Sequence, residues 1–253
     1  MKLTIVGCAG SFPGPDSAAS CYLVEAPYEG GTFRLVLDLG SGALGPLQQH
    51  VGLDEVDAVA LSHLHADHCL DLCGLYVVST YHPGGPLPMI PVYGPEGTAA
   101  RMARAYDLPE APGMDGAFDF LTYPETTFDL GPFRVEAARV DHPVTAYALR
   151  VTHEGRTLVY SGDTGPCAGL DEIAKGCDLL LAEASFLETA PDNPPGLHLT
   201  GREAAEAAQR AGVGRLVLTH IPPWYDRAAV LAEAEPCFDG PLALAEAGAS
   251  YDV

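Results

Sequence analysis

Short apolar runs recur along this chain, and several of them stop abruptly on a polar residue. Runs bounded by turn formers read as buried strands, and Val56–Leu61, Phe133–Val140, Thr157–Tyr160, Leu179–Leu181 and Arg215–Thr219 fit that description. Leu3–Asp16 joins a short strand to a Gly-rich loop, and Ser20–Val24 returns as a strand. Val151–Thr157 reads as a hairpin with Gly155 in its turn. Helices are predicted after His68, over Gly97–Tyr106, and over Asp226–Ala234. A further helix begins at Thr200, where Thr200-Gly201-Arg202-Glu203 has the capping-box form, runs to about Ala211 and ends at Gly212. Leu108–Asp119, with Pro109, Pro112, Gly113 and Gly116, reads as a loose segment suited to a lid or a contact between copies. The pattern divides into two similar halves, 1–130 and 131–253, the second ending in two helices. Strands packed centrally with helices outside predict an α/β fold of four layers, an αββα sandwich spanning 1–253 as one domain.

The first of these strands leads into the densest chemistry in the chain. His63, His65, Asp67 and His68 fall within six positions directly after Leu61. A strand cannot place His63, Asp67 and His68 on one side, whereas a tight turn into a helix start can converge all four. Imidazole with carboxylate and no thiolate suits a borderline divalent ion such as zinc, with manganese or iron able to replace it. Three more ligand-type residues follow other apolar runs: His142 before Pro143, Asp163 in Ser161-Gly162-Asp163-Thr164-Gly165, and His220 after Thr219. Singly, each has a plain structural explanation as a turn, an Asx turn or a strand-end histidine. Four strand ends that all deliver such residues point instead to one shared site.

This set and order resembles the metallo-β-lactamase superfamily, and the resemblance spans nearly the whole chain. The H-x-H-x-D-H motif is His63, His65, Asp67 and His68. The resemblance implies that His63, His65 and His142 hold a first metal ion, that Asp67, His68 and His220 hold a second, and that Asp163 bridges them. Flavo-diiron proteins carry Glu at the position of His65, and the classical zinc β-lactamases carry Cys at that of Asp163. Two cations lower the pKa of bound water from about 15.7 towards about 7 and neutralise charge on the bond being cleaved. The implied reaction class is hydrolysis by a metal-bridging hydroxide, with Asp67 both ligating and orienting the nucleophile.

Flanking residues resemble the ribonuclease Z-like phosphodiesterases more narrowly. Ser161-Gly162-Asp163-Thr164-Gly165-Pro166-Cys167 follows Tyr160 as in that branch, and Ala182-Glu183-Ala184-Ser185 stands at its His-Glu-Ala-Thr tetrad, with Ala182 departing from the family's His. The resemblance implies catalytic roles for Glu183 and His198, a pair that steadies the scissile phosphate or protonates the leaving oxygen. A carboxylate beside an imidazole raises its proton affinity, as a general acid requires. Ribonuclease Z also grips tRNA with an arm inserted before the Asp motif, but Arg150 lies only 13 residues before Asp163, leaving no room for one.

Charge narrows the substrate further. Lys and Arg number 13 against 34 Asp and Glu, a formal net charge of −21. Binding long RNA depends on neutralising several phosphates with cationic side chains, so this surface disfavours it. Two metal ions could still admit a substrate with a single negative charge. The run Leu187–Thr200 and His220-Ile221-Pro222-Pro223-Trp224 resemble the actinobacterial cyclic-nucleotide-degrading phosphodiesterases of this fold, which implies a small cyclic nucleotide, such as cyclic AMP, as substrate. Transfer RNA 3′-processing, and lactone or thioester hydrolysis, are the alternatives on the same site. Trp224 is the only Trp. It either stacks on a base or forms a rim or a contact between copies.

Seven cysteines without a pairing pattern suggest reduced thiols and a cytoplasmic setting. Cys69 and Cys73, four apart, read as packing residues. No apolar run has the length of a membrane span, and a homodimer is implied by the resemblance alone. Asp38, at the end of the run Val36–Leu39, either supports a ligand histidine or simply starts a turn.

Overall fold

Two sheets packed face to face place the strand ends that precede His63, His142, Asp163 and His220 along one edge. The computed structural model describes residues 1–190 and 192–253, so Pro191, inside the run 187–200, lies outside the described residues. In chain order the strands are β1 (Lys2–Ala9), β2 (Ala18–Ala19), β3 (Cys21–Tyr28), β4 (Gly31–Leu39), β5 (Ala58–Ala60), β6 (Ile90–Gly94), β7 (Phe118–Thr122), β8 (Phe128–Leu130), β9 (Phe133–Arg139), β10 (Tyr147–His153), β11 (Arg156–Tyr160), β12 (Leu179–Glu183), β13 (Leu216–Thr219), β14 (Leu242–Leu244) and β15 (Ser250–Asp252). The helices are α1 (Leu44–Leu47), α2 (Ala66–Cys69), α3 (Leu72–Tyr81), α4 (Thr98–Ala105), α5 (Ala168–Ile173), α6 (Gly201–Ala211) and α7 (Arg227–Ala234).

One sheet has the order β15-β1-β3-β4-β5-β6-β7 with β2 beside β1, and the other runs β14-β13-β12-β11-β10-β9-β8. Leu3, Ile5, Tyr22, Leu35 and Leu37 of the first meet Phe133, Leu149, Leu158, Leu181 and Val217 of the second in a central apolar layer. The outer face of the first sheet packs Leu23, Val36, Val59 and Val92 against Leu47, Leu72, Leu75 and Met102. The outer face of the second packs Val159, Leu180 and Leu218 against Leu170, Ala204, Ala208 and Val230. Three apolar layers separate four structural ones, which is the αββα sandwich read from the pattern. Since both faces are covered, β5, β12 and β13 are buried throughout, as continuous apolar runs in parallel pairing require.

Several local predictions hold for local reasons. The Thr200 hydroxyl accepts from the Glu203 amide while the Glu203 carboxylate accepts from the Thr200 amide, and Gly212 ends α6 with φ 66°. The Asp226 side chain accepts from the Ala228 amide and so starts α7 one residue later than read. β10 and β11 are joined by Glu154 (φ 50°) and Gly155 (φ 80°), a two-residue hairpin turn.

Other expectations are corrected. The second half ends in strands and not in two helices, with β15 crossing back to pair with β1. The helix after His68 is broken between α2 and α3. Asp71 is held there by tertiary bonds, its amide donating to the Leu39 carbonyl and its carboxylate accepting from the Leu44 amide. Cys69 and Cys73 therefore lie on two helices and do not share a single face, although both pack in the first sheet's outer core. The segment before β7 is anchored, since Met114 and Ala117 are fully buried. The seven cysteines are unpaired. Among the described residues no helix is long and apolar enough to cross a membrane.

Candidate metal centre

Backbone geometry at the strand ends brings the predicted residues together. His65 serves as the extended residue before α2, so Asp67 and His68 fall in its first turn while His63 and His65 precede it. A Cβ on Gly40 would run into the Asp67 carbonyl oxygen, so the glycine allows α2 to settle against the end of β4. His220 leaves β13 with φ 56° and Asp38 lies within β4 with φ 55°, a left-handed conformation uncommon for residues other than Gly, Asn, Asp and His. Both are buried beside the same cluster.

Donor atoms of His63, His65, His142 and Asp163 lie within 4.8 Å of one another, as do those of Asp67, His68, Asp163 and His220. Asp163 belongs to both groups. Nε2 of His63 and Nδ1 of His65 are 2.9 Å apart, Nδ1 of His65 and Nε2 of His142 are 3.2 Å apart, and the Nε2 atoms of His68 and His220 are 3.1 Å apart. Ring nitrogens that converge so closely present their lone pairs to common points. Asp163 Oδ1 is buried without a hydrogen-bond partner. Among the described residues, Asp38, Asp67, Asp163 and Glu183 are paired with histidines and with no Lys or Arg. Buried carboxylates need a paired charge or a metal. The donor set thus fits two divalent cations, and its oxygen and nitrogen chemistry suits zinc.

Protonation favours that fit at the two carboxylates and at three of the histidines, whereas at His68 burial lowers the proton affinity but Asp163 and Asp38 raise it by more. Burial opposes the charged form of Asp67, but the adjacent His220 and His68 rings hold its carboxyl well below the usual range. Burial likewise opposes ionised Asp163, and His220, His68 and His63 more than offset it. Burial lowers the proton affinity of His63, His65 and His142, which keeps their lone pairs available, as ligation requires.

A second ring of contacts fixes these side chains. Nδ1 of His68 donates to Asp38 Oδ2 at 2.7 Å, and the same carboxylate accepts from the Ser62 amide (2.6 Å), the Ser62 hydroxyl (2.7 Å) and the Tyr160 hydroxyl (2.7 Å). His220 Nδ1 lies 2.7 Å from the Ser185 hydroxyl, and His142 Nδ1 donates to the Leu197 carbonyl at 2.9 Å. Of the two readings open for Asp38, support of a ligand histidine is the one the geometry favours. Tyr160 and Ser185 were not singled out from sequence; the only signals were a strand-end Tyr before the Asp163 loop and a Ser closing the 182–185 tetrad.

Glu183 and His198 come together beside the cluster. Glu183 ends β12 fully buried, and its Oε1 accepts from the Thr164 amide at 2.7 Å and from His198 Nδ1 at 3.0 Å. His198 Nδ1 is 3.9 Å from Asp163. Burial works against its charged form, but the Glu183 carboxylate raises its proton affinity to about 9. Trp224 follows the candidate ligand His220 by four residues. It is 62 % exposed and packs against Phe12, with ring centroids 4.9 Å apart.

Comparison with known proteins gives the family and the fold. A family model described as the beta-lactamase superfamily domain matches residues 34–221. The chain belongs to the metallo-β-lactamase superfamily. Within the superfamily it is 45 % identical over 258 residues to an uncharacterized protein of Mycobacterium leprae, covering 100 % of this chain and 89 % of that one. It is 31 % identical over 250 residues to the probable metallo-hydrolase YhfI of Bacillus subtilis, with 98 % of each covered. The crystal structure of YhfI superposes with a TM-score of 0.86 at 29 % identity, covering 99 % of this chain and 98 % of that one. Ribonuclease Z of Mycobacterium bovis is 32 % identical over 250 residues, covering 88 % and 86 %. These relatives place the chain in the ribonuclease Z-like branch, as a metallo-hydrolase of the β-lactamase fold.

Proposed function

We propose that this hydrolase is a phosphodiesterase that opens cyclic nucleotides such as cyclic AMP. His63, His65 and His142 would hold one divalent cation, Asp67, His68 and His220 a second, and Asp163 both, with zinc the ion that best suits the donors. When bound, such ions would lower the pKa of bound water towards about 7 and draw charge from a phosphoryl oxygen. The protein's own groups supply the remainder. Asp67 accepts a hydrogen bond from the attacking water and so aims it. Glu183, held by the Thr164 and Ser185 amides, fixes His198 through Nδ1, which leaves Nε2 to give a proton to the leaving oxygen.

The observation that carries this reading is the Glu183–His198 pair beside Asp163 in a site with no RNA-gripping arm. Between His142 and Asp163 the chain forms only β10, a two-residue turn and β11. The net charge of −21 supports a small, singly charged substrate over a polyanion. The identity with ribonuclease Z favours a second reading, tRNA 3′-processing, on the same groups. Incubation of the zinc- or manganese-loaded protein with cyclic AMP, precursor tRNA and a lactone separates them. Cyclic AMP is expected to be opened to the monophosphate; absence of that turnover together with efficient cleavage of precursor tRNA or lactone removes the proposal.

A further inference from the structure

A cavity of about 490 Å³ has His198 in its wall, and Nδ1 of that His198 lies 3.9 Å from Asp163 of the candidate metal centre. Its other walls include Phe186, Glu188, Asn193, Pro195 and Glu203. The size falls within the range of sites for small organic ligands. Two contacts hold the 192–197 wall against the centre. The Leu197 carbonyl accepts from His142 Nδ1, and Gly196 packs on Gly165, where an added Cβ would come within 2.6 Å of the Gly196 Cα.

The position of His198 decides what enters. In hydrolysis of a phosphodiester the water oxygen bonds to phosphorus, the phosphorus–ester oxygen bond breaks, the proton of His198 passes to that ester oxygen, and the proton released by the water restores His198 through solvent. Phosphorus therefore sits at the His and Asp cluster, the leaving oxygen sits at His198, and whatever carbon framework that oxygen belongs to extends past His198. The space past His198 is this cavity. We propose that it receives the nucleoside of the substrate, with Phe186 stacking on the base and Asn193 accepting a hydrogen bond from an exocyclic amino group; this rests on the cyclic-nucleotide reading above.

The lining chemistry selects that occupant. Phe186 is half-buried, meets the His198 ring at 5.0 Å and 88°, and offers an aromatic surface for stacking. The Asn193 amide spends one of its two N–H groups on the Leu187 carbonyl at 2.7 Å, which fixes its plane and leaves its oxygen free to accept from a ligand. The Glu203 and Glu188 carboxylates each use one oxygen locally, on the Thr200 amide and on the Arg202 guanidinium, and keep the other. Among the described residues no Lys or Arg lines the cavity. A wall of acceptors suits a neutral nucleoside that carries N–H donors and repels a leaving group with a phosphate of its own.

Calorimetry tests this with adenosine and with purine riboside, which lacks the amino group. The metal-loaded wild type, Phe186→Ala and the cavity-filling Asn193→Trp are compared, with thermal melting to show that each is folded. Adenosine is expected to bind wild type about fivefold more tightly than purine riboside, and its affinity is expected to fall about tenfold or more in each variant. No adenosine binding to wild type at millimolar concentration, or affinities within about twofold in folded Asn193→Trp, overturns the inference. Cyclic AMP turnover, measured in parallel, keeps the two proposals apart. Turnover without adenosine binding removes the cavity assignment alone. Adenosine binding that the variants abolish, without turnover, removes the cyclic-nucleotide reading alone.

Discussion

Asp38 grips His68 through Nδ1 at 2.7 Å from a buried, left-handed backbone position, and in doing so turns Nε2 of His68 towards Asp67 and Asp163. A carboxylate on the far nitrogen of a ligating histidine fixes its ring and tautomer, and losing such support costs about 10- to 100-fold in metal affinity. Asp38→Asn keeps the size and tolerates the positive φ. It is expected to lower metal affinity by that amount while the far-ultraviolet circular dichroism stays native. A chelator-competition titration that finds unchanged affinity would show that Asp38 only shapes the turn.

Asp67 is the one carboxylate of the local motif, bonded to His220 at 3.1 Å and lying 3.4 Å from His68. Asp67→Ala is expected to reduce hydrolysis to background in a protein that still folds. Unchanged turnover in that variant would remove the role assigned to Asp67.

Glu183→Gln keeps a hydrogen bond to His198 but removes the charge that raises its proton affinity. General-acid catalysis contributes about 10²- to 10⁴-fold, so both Glu183→Gln and His198→Ala are expected to lower kcat within that range, with KM moving much less. A loss confined to KM would identify the pair as a binding element and not a proton donor.

Cys177 carries a pH dependence of stability. Burial, opposed by Arg150 and aided by Asp178, pushes its thiol up from 9.0 to about 12. Between these values the unfolded chain gives up the proton while the folded one keeps it. The associated stability is complete below about pH 9 and declines as pH rises towards about 12. Melting temperature in that window is expected to fall less steeply in Cys177→Ala than in wild type; parallel curves would deny the effect.

Thr200 caps α6 directly after His198 and Leu199. Thr200→Ala is expected to cost about 1 kcal/mol in chemical denaturation. A change below about 0.3 kcal/mol would mean that the packing of α6 on β12 and β13, not the cap, sets its stability.

Much of the centre was legible because its information is local. His63, His65, Asp67 and His68 are close enough in the chain that a turn and one helical turn bring them together. His142, Asp163 and His220 could be found because each stands at the end of an apolar run. The capping box at Thr200 and the Gly155 turn were readable for the same reason. What escaped depends on distant neighbours. The break before α3 follows from Asp71 bonding to Leu39 and Leu44, the return of β15 to β1 joins opposite ends of the chain, and the burial of Met114 holds a segment whose composition suggests looseness. Neither the Tyr160 hydroxyl on Asp38 nor the cavity beyond His198 has a signature in spacing or composition.

By itself the sequence determined which donor groups exist, their order, the strands that deliver them and the strong negative charge, because side-chain chemistry and backbone preference are properties of a residue and its near neighbours. The tertiary structure alone decided how closely the donor atoms converge, that the Asp38 side chain reaches His68, and that a hollow remains beside His198. Those are outcomes of how two sheets pack and which strands align, and such alignment is set by burial shared among residues far apart in the chain.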